Sequence, residues 1–205
     1  MPSPTTTTPP ADTGFDPGVF WIQHKSKIML FVGLFVVALA AYAISEYVHD
    51  KRNTSAQTLY ANAHSADDFR KVIAEYPGSN PAGDAHLMLA EKLRAEGKID
   101  ESSAILHTFI EKYPEHPLLS GAWTSLAINL EAQGKVDEAM STYQKVTTTF
   151  ANTFSAPLAL TSQARLLAQK GKTEEARRIY EQVMAQYQDN FAAQQAAQEL
   201  RKLKK

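Results

Sequence analysis

Apolar residues recur at helical spacing through most of the chain, and the recurrence itself repeats. From Ala122 to Phe150 two stretches with apolar positions three and four residues apart flank the dipeptide Gly134-Lys135, which predicts helix, tight turn, helix. Displaced by thirty-seven residues in either direction, the arrangement returns. Gly97-Lys98, Gly134-Lys135 and Gly171-Lys172 share one phase, as do Glu101, Glu138 and Glu175. Ala85, Ala122 and Ala159 share another, followed by Ala90, Ala127 and Ala164, by Leu93, Leu130 and Leu167, and by Tyr113, Phe150 and Tyr187. So many coincident phases define a helical repeat array.

The flanks of the array follow the same reading. First helices open near Pro81, Pro117 and Pro157, where proline in the first turn forfeits no hydrogen bond. Asn80 and Ser155 are expected N-caps, and the glycine of each Gly-Lys turn suits a C′ residue with positive φ. Upstream, Asp67 to Tyr76 predicts a helix with Phe69, Val72, Ile73 and Tyr76 on one face. Because Tyr76-Pro77 lies in phase with Tyr113-Pro114, residues 46–79 read as a polar stalk helix and a degenerate first repeat. Residues 80–188 hold three full repeats, and residues 189–205 a capping helix with Phe191 and Leu200 inward and a basic end.

The N-terminus breaks the pattern. Residues 1–19, rich in Pro and Thr, cannot bury enough apolar surface to offset ordering and are expected to form a disordered tail. Residues 20–45 read as a membrane anchor with an interfacial start at Phe20, Trp21, Lys25 and Lys27. Its core, Ile28 to Ile44, is seventeen residues without a charge, about 26 Å of helix against a hydrocarbon core of about 30 Å. Interfacial Lys27 and Tyr47 make up the difference. A cleaved signal peptide is the competing reading, since Ala41-Tyr42-Ala43 has the small-x-small form, but the long preceding tail and the continuing helical pattern favour an anchor. A buried core helix would show a polar face, and there is none. Basic residues flank both ends (Lys25 and Lys27; Lys51 and Arg52), so charge does not fix the orientation. The fold class is all-α: one N-terminal transmembrane helix, then an α-solenoid of about three helix pairs and a cap.

The repeats resemble the tetratricopeptide repeat (TPR). In the middle unit Trp123, Leu126, Ala127, Leu130, Gly134, Ala139, Tyr143 and Val146 fall where that repeat carries its large, small and aromatic residues. Ala90, Gly97, Ser102, Leu106, Phe109 and Pro114 do so in the first unit, and Ala164, Leu167, Gly171, Ala176, Tyr180 and Val183 in the third. The period exceeds the usual thirty-four, which implies about three extra residues in each inter-repeat loop. Tail, single membrane helix, stalk and small TPR domain together are similar to the YfgM-like ancillary subunits of the bacterial Sec translocon. That resemblance implies a single-pass protein of the bacterial cytoplasmic (inner) membrane with its C-terminal domain in the periplasm. It also implies protein partners, either translocon subunits or periplasmic chaperones. The alternative is a signal-peptide-cleaved, soluble periplasmic TPR scaffold for envelope biogenesis or cell division.

In TPR units the first helix of each pair lines the concave face. The resemblance therefore implies a partner-binding groove of Asp84, Leu87, Glu91 and Arg94, then Thr124, Ile128 and Glu131, then Leu158, Thr161 and Arg165. This mixture suits a protein segment with apolar side chains and some polar contacts.

Composition removes most other classes. A net charge of −1 and dispersed lysines give no field or basic stripe for nucleic acid. The absence of cysteine excludes a disulfide, a thiolate metal site, a cysteine nucleophile and an acylated lipoprotein N-terminus. Solitary glycines build no phosphate cradle, and six histidines include no HExxH and no i, i+4 pair. His86 and His107 could face each other across two helices, but ordinary surface or groove histidines are the better account. The acidic pairs Asp100-Glu101, Asp137-Glu138 and Glu174-Glu175 belong to helix N-termini, where the dipole favours negative charge. No catalytic residue, metal site, cofactor or small-molecule substrate is expected. The lipid bilayer is the expected partner of Ile28–Ile44.

Overall fold

The computed structural model describes residues 17–203, and all regular structure among them is helical. The elements are α1 (Pro17–Ala61), α2 (Ala66–Glu75), α3 (Asn80–Ala95), α4 (Ile99–Lys112), α5 (Leu119–Ala132), α6 (Val136–Thr149), α7 (Ala156–Gln169), α8 (Thr173–Gln186) and α9 (Phe191–Leu203). The chain divides into two units, residues 1–51 and 52–205.

In the first unit α1 starts at Pro17, inside the segment expected to be a tail; residues 1–16 and the last two lysines lie outside the described residues. Helix continues without a break through Ala41-Tyr42-Ala43. Every side chain from Met29 to Val48 is exposed. Among the described residues this is the one helix long and apolar enough, by length and composition, to cross a membrane.

In the second unit the end of α1 joins the core formed by α2 and α3. Ala56 is fully buried, and Leu59 and Tyr60 pack on Phe69, Val72, Ala85, Leu89 and Leu93. A capping box starts α2: the Ser65 hydroxyl accepts from the Asp68 amide while the Asp68 carboxylate accepts from the Ser65 amide. Hydrogen bonds from the Ser65 side chain and backbone hold the Asp68 carboxyl down at about 2.

The three full repeats are α3–α4, α5–α6 and α7–α8, and the sequence period is visible in the backbone. Gly97, Gly134 and Gly171 have φ of 78°, 75° and 78°, conformations that a side chain at Cβ would strain. Each supplies the αL residue of a Schellman turn. The next lysine amide (98, 135, 172) donates to the carbonyl of Leu93, Leu130 or Leu167 at 2.8–2.9 Å. Helices α4, α6 and α8 then begin with no side-chain cap, because lysine occupies the cap position. The acidic pairs sit in those first turns, where their charge offsets the uncapped amide ends. The second helices end alike at Tyr76, Tyr113, Phe150 and Tyr187, with φ between −127° and −119°.

The expected caps need one correction. At α3 the cap is Ser79, whose hydroxyl accepts from the Ala82 amide at 3.2 Å, and Asn80 is already helical. Ser155 does stand at the start of α7, but its hydroxyl takes a hydrogen bond from Ser120 across the seam rather than capping. Small residues set the helix spacing: Ala122, Ala127, Ala139, Ala159, Ala164 and Ala176 have no accessible surface, which lets paired helices approach closely. Tyr143 and Tyr180 fill the gaps between layers.

Candidate functional site

Adjacent repeats meet along a seam in which the first helix of one pair and the first helix of the next lie over the second helix of the earlier pair. The two seams between full repeats are built from equivalent positions and carry different chemistry.

The seam between the second and third repeats is closed from within. Tyr143 is fully buried, and its hydroxyl donates to one oxygen of Glu131 at 2.6 Å. Arg165 donates to the other oxygen at 2.5 Å. Burial and the hydrogen bond to the Glu131 carboxylate both push the Tyr143 phenol up, so it stays protonated and remains a donor. Ala139 and Leu166 complete an apolar wall.

At the seam between the first and second repeats each of those parts is exchanged. Leu106 stands in the Tyr143 position, Arg94 in that of Glu131, Ile128 in that of Arg165. Ser102 and Asn129 replace Ala139 and Leu166. Leucine carries an isopropyl group where tyrosine carries a phenol ring, and Gly121 stands where the third repeat has Leu158. A pocket of about 180 Å³ results. Leu87, Met88, Leu106 and Leu118 line it, Glu91 and Arg94 stand along it, and the Phe154 ring closes one side. Gly121 makes room for that ring: a Cβ there would lie 3.4 Å from Phe154 Cζ. Behind the pocket wall, the Asn129 amide donates to Ser102 Oγ at 2.9 Å and Ser103 Oγ at 3.2 Å. Its own carbonyl is buried without a partner.

The residues expected to form a groove divide accordingly. Leu87, Glu91 and Arg94 come together in the pocket. Glu131 and Arg165 come together as the ion pair of the closed seam. Leu158 is exposed at 41%. Ile128 packs on the core of the second repeat. Asp84 turns toward His116, 3.5 Å away, and burial raises its carboxyl despite that neighbour. Gly83 opens the slot that His116 fills. Thr124 and Thr161 are not available at a surface: both are buried, and their hydroxyls bond back to the carbonyls of Ser120 and Pro157 at 2.8 and 2.9 Å. They occupy the same repeat position as Leu87. A short β-branched residue with a hydroxyl folds back on its own helix, whereas the longer leucine reaches the pocket.

The sequence reading did not select Met88, Leu106, Leu118, Gly121, Ser125 or Phe154. The signal was present as departures from the repeat, in Leu106 against Tyr143 and Tyr180 and in Gly121 against Leu158. His86 and His107 do not form a pair: His86 is buried with Nδ1 donating to the Ala82 carbonyl at 2.7 Å, and His107 is exposed. No group of three or more His, Cys, Asp or Glu among the described residues could hold a metal ion.

The family model of the tetratricopeptide repeat-like domain matches residues 19–204, the apolar helix included. The chain belongs to this family. Solved TPR structures share its fold at low identity. The nearly identical TPR-like repeats of a Podosopora anserina kinesin light chain protein superpose with a TM-score of 0.55 at 20% identity, covering 75% of this chain and 84% of that one. A TPR protein from Parabacteroides merdae gives 0.54 at 13% identity, covering 68% of this chain and 52% of that one. BtubC from P. vanneervenii gives 0.55 at 18% identity, covering 75% and 65%. None of the curated proteins matches the chain. Membership of the TPR family makes the domain a protein–protein interaction module.

Proposed function

We propose that the protein is a membrane-tethered interaction module. In this reading α1 is held in a bilayer through Ile28–Ile44, and the face of α3, α5 and α7 receives a segment of a partner protein. One observation carries the binding half: the seam between the first and second repeats leaves an apolar pocket unfilled, and Arg94, which lines it, forms no ion pair among the described residues. Its neighbour satisfies the equivalent positions internally. The exposed apolar run of α1 and its inclusion in the family match support the tether. Helix continuing through Ala41–Ala43 favours a retained anchor over the alternative, a cleaved and soluble periplasmic scaffold.

The layout further supports placement in the bacterial cytoplasmic membrane with the repeats in the periplasm, and translocon subunits or periplasmic chaperones as partners. Purification of the full-length protein from membranes in mild detergent, with mass spectrometry of what accompanies it, tests this. Translocon subunits should be recovered, and lost when Ile28–Ile44 is replaced by an unrelated anchor. Recovery of periplasmic or division proteins alone, with a mature chain beginning near Ile44, would replace the tether with the soluble scaffold. A cysteine placed in α9 should react with membrane-impermeant reagent in spheroplasts, and protection there would overturn the periplasmic placement.

A further inference from the structure

The pocket has an internal counterpart that states what is missing from it. At the closed seam an aromatic ring (Tyr143) fills the layer and a carboxylate (Glu131) meets the guanidinium of Arg165. At the open seam Leu106 replaces the ring, the guanidinium is Arg94, and among the described residues no carboxylate forms an ion pair with it, although Glu91 lines the same pocket. We infer that the open seam recognises a protein segment carrying an aromatic side chain beside an acidic one, the ring entering the pocket and the carboxylate pairing with Arg94. This rests on the groove-binding reading above and narrows it to one ligand chemistry.

Size and charge both agree. An engineered apolar cavity of about 150 Å³ takes up benzene, and this pocket measures about 180 Å³. Its walls are mostly aliphatic, with the Phe154 ring available for an edge-to-face or offset contact. Arg94 is half-buried beside the pocket, where a charge that a ligand desolvates must be paired, and its planar fork suits a carboxylate. Glu91 is the exposed charge of the same helix face. Because Glu91 lines the same pocket, well inside the screening length of about 10 Å, it repels a ligand carboxylate and confines it to the Arg94 side.

The test is a random peptide library displayed on phage and selected against the full-length protein in lipid nanodiscs. Selected peptides are then synthesised and their affinities measured by fluorescence polarisation. Enriched sequences should pair Phe, Tyr or Trp with Asp or Glu. Leu106→Tyr should weaken them by tenfold or more by placing inside the pocket the ring that the second and third repeats carry at this position. Arg94→Glu should turn the acidic preference basic. Should Leu106→Tyr melt below the wild type, Phe154→Ala, which removes a wall from an exposed loop, should weaken the same peptides. Enriched peptides that lack the aromatic, carry Lys or Arg in place of the acid, or ignore both pocket variants would overturn the inference while leaving the groove reading intact. No enrichment on any form of the protein would overturn both.

Discussion

The two seams occupy equivalent positions of a thirty-seven-residue repeat, and only one of them is finished. Between the second and third repeats a phenol, a carboxylate and a guanidinium satisfy one another inside the protein. Between the first and second, a leucine, an arginine and an isoleucine stand in the same places, and a pocket remains. The glycine turns agree within a few degrees from repeat to repeat, and the second helices all end at an aromatic residue with φ between −127° and −119°. The seams differ in side-chain volume and charge at six equivalent positions. In this scaffold the fold is carried by what recurs, and the pocket by what fails to recur.

The comparison can be broken most forcefully from the closed side. Tyr143→Leu copies the open seam into the closed one, opening a cavity and leaving Glu131 without its phenol donor. A loss of about 2–4 kcal/mol is expected, measured by urea unfolding of the second unit's helical signal. The Glu131–Arg165 pair is a smaller contribution, because Arg165 is 37% exposed and its charge is partly screened. A double-mutant cycle with Glu131→Gln and Arg165→Met should return a coupling of about 1 kcal/mol, diminishing with added salt.

Changes from the open side should cost less or nothing. Asn129→Leu combined with Ser102→Ala copies the apolar wall of the closed seam. Because it removes the Asn129 amide carbonyl that is buried without a partner, the double variant should melt at or slightly above the wild type, by up to about 1 kcal/mol. The smallest effect is one of pH. Burial is the main reason that the His86 imidazole titrates below its ordinary 6.5, with nearby Lys112 acting in the same direction against the raising hydrogen bond to Ala82. Tyr113 lies edge-on beside it. Neutral His86 therefore stabilises the fold above pH 6.5, and that contribution is lost as pH falls from 6.5 through the lowered folded value. His86→Gln should flatten the fall in Tm between neutral and mildly acidic pH relative to the wild type.

Much of the fold was legible because its determinants are local. Each Gly-Lys turn demands positive φ, and each small-residue position demands close approach, so glycine and alanine announce them in the sequence. Ser79 escaped because Asn80 is an equally good capping residue one position on, and only the backbone conformation tells them apart. Repeat phase alone selects the residues expected to line a groove. Leu87, Glu91 and Arg94 follow from counting along one helix, but Thr124 and Thr161 occupy the same phase and turn back on their own carbonyls. Phase fixes where a Cβ points, and the length and chemistry of the side chain decide where its end goes. Phe154 and Leu118 lie outside the helices on the connecting segments, where the repeat period predicts no orientation.

The most direct measurement is methyl NMR of the full-length protein in nanodiscs, with labelled leucines, titrated with 3-phenylpropionate, which carries one ring and one carboxylate. Saturable shifts are expected at Leu87, Leu106 and Leu118, none at Leu166, with their loss in Arg94→Glu. Shifts spread evenly over both seams, or none at the open one, would show that the open seam is not a binding site.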